Sequence, residues 1–345
     1  MISLVFISLA LISFCPGSFL NQSDNSNNVF KPCSNSLKTE TEKNTLDDAT
    51  PLQIEYADDN NFNICHFNTS SFSFDRLYVE ETNDISLLER STKFGSRPGT
   101  IPTSNIKKSI SDDDNMVEIK STSSFGYPLS AIGLLVLPNL SISGTAFLVS
   151  SGFVLTAAHC IASNFNFYRT IPEIGFGLTG IDSNNVLAFD YHVNVTDIYI
   201  PRRFFALDSK GNPINNYKYD WALMKIDTPD VINHVGALSI GSGFTLYDKI
   251  NTFIGYPGER YNLIPHSSSG KGVFEDRELE YELYQYIYDG MSGGPLIFDY
   301  FNPATLDEFG LVTGICSSIT GKHGDYTSVA VKISNLLINV MRYLR

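Results

Sequence analysis

Ser292 stands in the run Asp289-Gly290-Met291-Ser292-Gly293-Gly294-Pro295, with glycines on both sides of its hydroxyl. A serine hydroxyl is a weak nucleophile at neutral pH, so acyl-transfer chemistry requires a base held beside it. It also requires backbone N–H groups aimed at the oxygen that turns negative in the transition state. Glycine lets the chain turn tightly and carry such N–H groups close to a substrate carbonyl. The same Gly-x-Ser-Gly-Gly-Pro string also makes an ordinary turn. The chemistry therefore depends on partners elsewhere in the chain.

Two partners have suitable surroundings. His159 ends the string Val154-Leu155-Thr156-Ala157-Ala158-His159-Cys160, where an apolar run gives way to small residues that leave room beside a ring. A neutral imidazole can take a hydroxyl proton and return it to a leaving group, because its pKa lies near working pH. Asp220 opens Asp220-Trp221-Ala222-Leu223-Met224-Lys225-Ile226. A carboxylate entering an apolar strand is costly to bury without a partner. The imidazole N–H of His159 would satisfy it and fix the tautomer. Taken alone, His159 also reads as a satisfied strand-edge residue and Asp220 as a strand-start cap.

The elements that must position these residues begin at about residue 124. Short apolar runs there alternate with Gly, Pro, Asn and Ser: 131–137, 144–149, 153–157, 191–195, 221–226, 250–254, 295–298, 310–315 and 328–333. Runs of that length predict an all-β sandwich or barrel. Ile333, Leu336, Leu337, Val340, Met341 and Leu344 recur at helical spacing, which predicts a closing amphipathic helix over about 333–344. Residues 20–108 differ. They are rich in Asn, Ser, Thr and acidic side chains, and their low hydrophobicity predicts a poorly structured, prosegment-like region. The dibasic pair Lys107-Lys108 at its end reads as a processing site, with solvated surface charge as the alternative.

With all three strings in hand, in the order His159, Asp220, Ser292, the chain resembles the trypsin/chymotrypsin-like serine peptidases. Thr-Ala-Ala-His-Cys, Asp-x-Ala-Leu and Gly-x-Ser-Gly-Gly-Pro carry the likeness, which extends over about 109–345. It is similar above all to the glutamyl-endopeptidase (V8-like) branch. Ile110-Ser111-Asp112-Asp113-Asp114, Tyr127-Pro128-Leu129-Ser130-Ala131-Ile132 and Gly255-Tyr256-Pro257-Gly258-Glu259 carry that finer likeness, as does the absence of an Ile-Val-Gly-Gly start. The resemblance implies a double six-stranded antiparallel β-barrel, with barrels at about 124–235 and 236–332. It implies His159 as general base, Asp220 as its orienter and Ser292 as nucleophile, and an oxyanion hole from the N–H groups of Gly290 and Ser292. Ser317 falls where the family places a hydroxyl near the buried aspartate. No cofactor or metal is expected, and the substrates would be proteins or peptides.

Departures from the family pattern centre on the specificity pocket, assigned to Tyr286, Ile287, Cys316 and Ser317. Tyr286 stands where trypsin carries an acidic residue, so a Lys or Arg substrate side chain finds no counter-charge. Ile287 and Cys316 replace the groups expected to bind a glutamate carboxylate. An apolar pocket is the simplest alternative. Gly144 occupies the place of the cysteine that ordinarily pairs with Cys160.

Composition bounds the setting. The net charge of −13 disfavours nucleic acid or an anionic membrane as partner. Residues 2–14 form an apolar, serine-containing run that reads as a secretory signal within 1–19; a retained anchor is the alternative. Sequons at Asn21, Asn68, Asn139 and Asn194 suit an exported glycoprotein. Once Cys15 leaves with the signal, Cys33 with Cys65 is the expected pair, leaving Cys160 and Cys316 as thiols or as a second pair. Two function classes follow: a secreted serine endopeptidase, made as a precursor with an intramolecular prosegment, or a catalytically silent homologue acting as a secreted binding module.

Overall fold

In the computed structural model the apolar runs become strands. It describes residues 63–80, 127–207, 217–258 and 265–345 apart from short internal gaps, with strand segments at 52–53, 87–88 and 116–118. The signal-like run, Cys33 and Lys107-Lys108 lie outside the described residues. In chain order the strands used below are β1 (Ile64–Asn68), β2 (Ser73–Leu77), β3 (Ile132–Leu137), β4 (Ile142–Ser150), β5 (Phe153–Thr156), β6 (Glu173–Ile181), β7 (Leu187–Pro201) and β8 (Ala222–Ile226). They are followed by β9 (Ser239–Gly241), β10 (Ile250–Gly255), β11 (His266–Lys271), β12 (Glu280–Leu283), β13 (Pro295–Asn302), β14 (Asp307–Thr320) and β15 (Thr327–Lys332).

Six strands close on themselves in the order β6-β3-β4-β5-β8-β7, with β7 returning to pair with β6. Antiparallel closure removes the free edges that a flat sheet would expose. Its core includes Ile132, Leu135, Phe147, Val154, Leu155, Phe176, Leu223 and Met224, all at 2% exposure or less. A second sheet runs β12-β15-β14-β13-β10-β11, with β9 parallel beside β14. Among the described residues its two ends do not pair, so it forms a half-closed barrel around Phe253, Tyr281, Leu283, Met291, Leu296 and Cys316. The chain is thus all-β in its core, with two barrels side by side, as the strand pattern and the resemblance predict.

The closing helix spans Asn335–Tyr343. Ser334 caps it by accepting a hydrogen bond from the Leu337 N–H at 3.2 Å. Leu337, Ile338, Val340 and Met341 are fully buried against the first core, each worth about 1.5–3 kcal/mol of transfer free energy.

One part of the polar 20–108 tract belongs to the barrel sheet. Strands β1 and β2 form a hairpin, and β1 pairs antiparallel with the C-terminal half of β7. Ile64, Cys65 and Phe67 are 0% exposed. The average composition of the tract hides this short Ile-Cys-His-Phe run. Cys65 is a free thiol inside the core, and burial pushes its pKa up to about 12 despite Arg202 and Arg76 nearby; Cys33, its expected partner, lies outside the described residues.

Candidate active site

Each of the three expected side chains sits where a strand ends at the seam between the barrels. Strand β5 runs through Ala157 into a single 3-10 turn, Ala158–Cys160, which turns His159 out of the core. Asp220 lies between a second such turn, Tyr217–Tyr219, and strand β8. Ser292 lies on the turn just before β13. Because β5 and β8 are adjacent, with Thr156 opposite Ala222, the strand register itself brings His159 and Asp220 together.

Asp220 is 1% exposed, and its carboxylate is fully engaged. Oδ1 accepts from the His159 backbone N–H at 2.9 Å, and Oδ2 accepts from His159 Nδ1 at 2.7 Å. The Ser317 hydroxyl donates to Oδ2 at 2.5 Å. Burial acts to raise the carboxyl pKa, but the His159 charge and these hydrogen bonds outweigh it and hold the pKa below its ordinary 3.8. His159 shows the reciprocal effect. Burial acts to lower its pKa, while Asp220, with Cys160 adding, raises it well above 6.5. The side chain of His159 keeps 38% of its surface, so the ring is reachable from solvent on the face away from Asp220.

The Ser292 turn is fixed by two glycines whose backbones L side chains rarely adopt. Gly290 has φ +93° and Gly293 has φ +86°. A Cβ at Gly293 would stand 2.1 Å from Thr145 O and from Thr156 Oγ1, and one at Gly290 would stand 2.5 Å from Tyr256 O. Within this turn the N–H groups of Met291, Gly293 and Gly294 donate to Tyr288, Cys316 and Met291 carbonyls. Among the described residues the N–H groups of Gly290 and Ser292 donate to no group of the chain. Two unengaged donors, one residue apart on a rigid turn, are the kind of group an oxyanion requires.

Sequence reasoning passed over Thr145. This fully buried residue on β4 ties the first barrel to the Ser292 turn. Its N–H donates to Ser292 O at 2.8 Å, and its hydroxyl donates to Gly290 O at 2.8 Å. The same hydroxyl accepts from the Tyr256 N–H at 2.9 Å. Thr156 Oγ1 in turn donates to Thr145 O at 2.8 Å. The available signal was a hydroxyl inside the apolar run of β4, directly after Gly144.

The Ser292 hydroxyl donates to Ser317 O at 3.4 Å, and it makes no hydrogen bond to His159. The Nε2 of His159 instead has Cys160 Sγ at 3.8 Å. A Cβ on Gly144 would lie 3.0 Å from that sulfur, so Gly144 does face Cys160 where the resemblance places a pairing cysteine. Of the four pocket candidates, Ile287 and Cys316 meet in the core of the second sheet at 3% and 0% exposure. Tyr286 rests against Tyr288 with ring centroids 4.8 Å apart, and Ser317 turns to Asp220. Among the described residues no cluster of side chains suits a metal ion, and no helix is long and apolar enough to cross a membrane.

Residues 136–252 match the Trypsin family model, a span that includes His159 and Asp220 and stops short of Ser292. The fold is that of a Glu endopeptidase solved in complex with MPD: TM-score 0.51 at 18% identity, covering 67% of this chain and 97% of that one. Two further solved structures are similar at lower scores. The thermostable serine protease AL20 from an extremophilic microorganism gives TM-score 0.47 and 16% identity over 63% of this chain and 97% of its own. The protease Anisep from Arthrobacter nicotinovorans gives 0.45 and 17% over 63% and 95%. Comparison with curated proteins finds no match. The architecture is thus chymotrypsin-like, and about a third of the chain matches the Trypsin family model.

Proposed function

We infer that the protein is a secreted serine endopeptidase that cleaves peptide bonds through an acyl-enzyme intermediate. His159 takes the proton of Ser292 as the hydroxyl attacks the scissile carbonyl, then delivers it to the leaving amine. Asp220 holds the imidazole in the Nδ1–H tautomer and stabilises the imidazolium. The N–H groups of Gly290 and Ser292 receive the negative oxygen of the tetrahedral intermediate. Water then hydrolyses the ester by the reverse sequence of proton transfers. The observation that carries this reading is the Ser317–Asp220–His159 hydrogen-bonded chain standing beside a turn with two unengaged N–H donors.

The substrate preference we propose rests on the side chains expected at the specificity pocket. Tyr286 offers no carboxylate to a Lys or Arg side chain, and Ile287 and Cys316, packed into the second core, present no group to a glutamate. Apolar residues before the cleaved bond are therefore favoured over both. The apolar run at 2–14 and the sequons support export, with processing at Lys107-Lys108.

The test is covalent labelling of the secreted protein with a fluorophosphonate. One serine should react; Ser292→Ala and His159→Ala should each abolish reaction in a folded protein. Cleavage of a mixed peptide library would then report the pocket. The Ser292–Ser317 hydrogen bond, with Cys160 facing Nε2, favours a second reading: a silent homologue whose nucleophile stays turned away. Nucleophile–base contacts commonly tighten only around a substrate. Folded protein that ignores both the probe and the library would establish the silent homologue.

A further inference from the structure

The hairpin of β1 and β2 occupies an edge that the first barrel cannot cover for itself. Residues 197–199 of β7 pair with β8 on one side, and β6 is engaged with the earlier half of β7. The outer side of 197–201 meets β1 instead, in a five-residue register running from Asp197 opposite Asn68 to Pro201 opposite Ile64. Side chains extend the ladder. Thr69 donates through its hydroxyl to Val195 O at 2.6 Å and through its N–H to Thr196 O at 2.9 Å. Asp197 Oδ1 receives both His66 Nε2 at 3.0 Å and Asn68 Nδ2 at 2.9 Å, and the His66 ring stacks on Tyr199 at 4.7 Å. At the far end Asn339 of the C-terminal helix donates to Glu80 O at 3.0 Å.

The hairpin also reaches toward the reacting groups. Phe67, fully buried, stacks on Phe167 with centroids 4.8 Å apart. Phe167 forms an isolated bridge with Ala162, and the next residue donates to Ile161 O. Ile161 and Ala162 close the turn that carries His159, both donating to Ala158 O. Beyond residue 80 the tract also pairs with the second sheet, Leu88 opposite Ile240. Removing it would bare the β7 edge and the apolar surfaces of Phe167, Ile198 and Ile200, each at most 2% exposed.

We propose that the N-terminal tract is a permanent second chain of the mature peptidase: a cut at Lys107-Lys108 leaves it bound without a covalent link, and the enzyme requires it. The occupant of the β7 edge is this chain's own residues 63–80, held by a backbone ladder and buried apolar side chains, since Cys65 is a free thiol. The position of the cut is taken from the proposed processing; the retention is not.

A site for a sequence-specific protease is placed after Lys108 in the full secreted chain, which is cut under native conditions and run on gel filtration. The two fragments should co-elute in equal amount, separate in concentrated guanidinium, and label with fluorophosphonate as fast as the uncut chain. An N-terminal fragment eluting by itself, or labelling that survives its removal, overturns the proposal. Phe67→Asp should release the fragment after cutting and slow labelling, whereas Tyr78→Ala, at an exposed position, should change neither. Should the uncut chain fail to label, the enzymatic reading falls, while co-elution still decides retention.

Discussion

Replacing Thr145 by valine removes one hydroxyl and keeps the shape of the side chain. The hydroxyl serves two buried backbone groups at once, Gly290 O at 2.8 Å and the Tyr256 N–H at 2.9 Å, both across the seam between the barrels. Leaving a buried donor or acceptor unpaired costs about 1–3 kcal/mol. Two such groups, of which the carbonyl is the more easily relieved by water, give about 2–4 kcal/mol for Thr145→Val. In a domain of this size that lowers the melting temperature by about 4–16 °C. The backbone bond from Thr145 N to Ser292 O survives the change, so the turn should loosen at Gly290 rather than detach. Gly290 contributes one of two proposed oxyanion donors, and losing one donor outright costs about 10²–10³ in kcat. Partial misplacement should therefore reduce kcat about tenfold to a hundredfold with KM little changed, because the bond is made to the transition state. Steady-state kinetics on a peptide substrate, alongside thermal unfolding, measure both. A variant that melts earlier yet keeps wild-type kcat would refute the link from Thr145 through Gly290 to the oxyanion.

Further outcomes follow from the buried charge network. The proposed base works as neutral imidazole, and Asp220 holds its pKa well above 6.5, so kcat/KM should rise with pH through a midpoint above that value; a midpoint at or below 6.5 contradicts the assignment. Asp220→Asn should lower activity by about 10⁴-fold and shift the residual midpoint downward, read from the pH profile. Ser317→Ala removes a charge-assisted bond of about 1.5–3 kcal/mol. The folded pKa of Asp220 lies below 3.8, so its stabilisation is complete above 3.8 and is lost as pH falls through the folded value. Acid unfolding of the Ser317→Ala variant should therefore begin at higher pH, followed by circular dichroism. Among the sequons, Asn194 is exposed on β7 with its amide on Asp227 at 2.9 Å; Asn194→Gln should reduce the mass of the secreted protein by one glycan.

What was legible in the sequence was local. His159, Asp220 and Ser292 each sit in a short string whose composition also dictates the local bend, so type and position could be read together. Thr145 could not be found that way, since its hydroxyl partners lie 145 and 111 residues away and nothing near it marks them. Strand β11 spells His-Ser-Ser-Ser-Gly-Lys, which composition reads as a turn. It is a strand because Ser267 and Ser268 pair with Ile254 and Phe253. Strand β6, Glu-Ile-Gly-Phe-Gly-Leu-Thr-Gly-Ile, loses its alternation to glycines. The hairpin is too short to stand out from the long polar tract around it. In each case the deciding contacts are made to distant strands, where tertiary pairing overrides local propensity.

The seam between the barrels explains why the polar network can be so exacting. The core of the first barrel continues through Ile254, Tyr256, Ile297, Val312, Ile315 and Val331 of the second half, so the two barrels share one apolar joint. Side chains packed at that density have little freedom to slide. The polar groups at the mouth of the joint inherit that fixity: Thr145 and Thr156 from one side, Tyr256 and the Ser292 turn from the other. A carboxylate as buried as Asp220 is tolerable only where every donor is held in place, and the donors here come from both halves: His159 from the first, Ser317 from the second. Loosening the joint would therefore affect the charge of Asp220 before it unfolded either barrel. Smaller apolar substitutions at Ile254 or Ile315 should accordingly raise the pH at which acid unfolding starts by more than they lower the melting temperature at neutral pH.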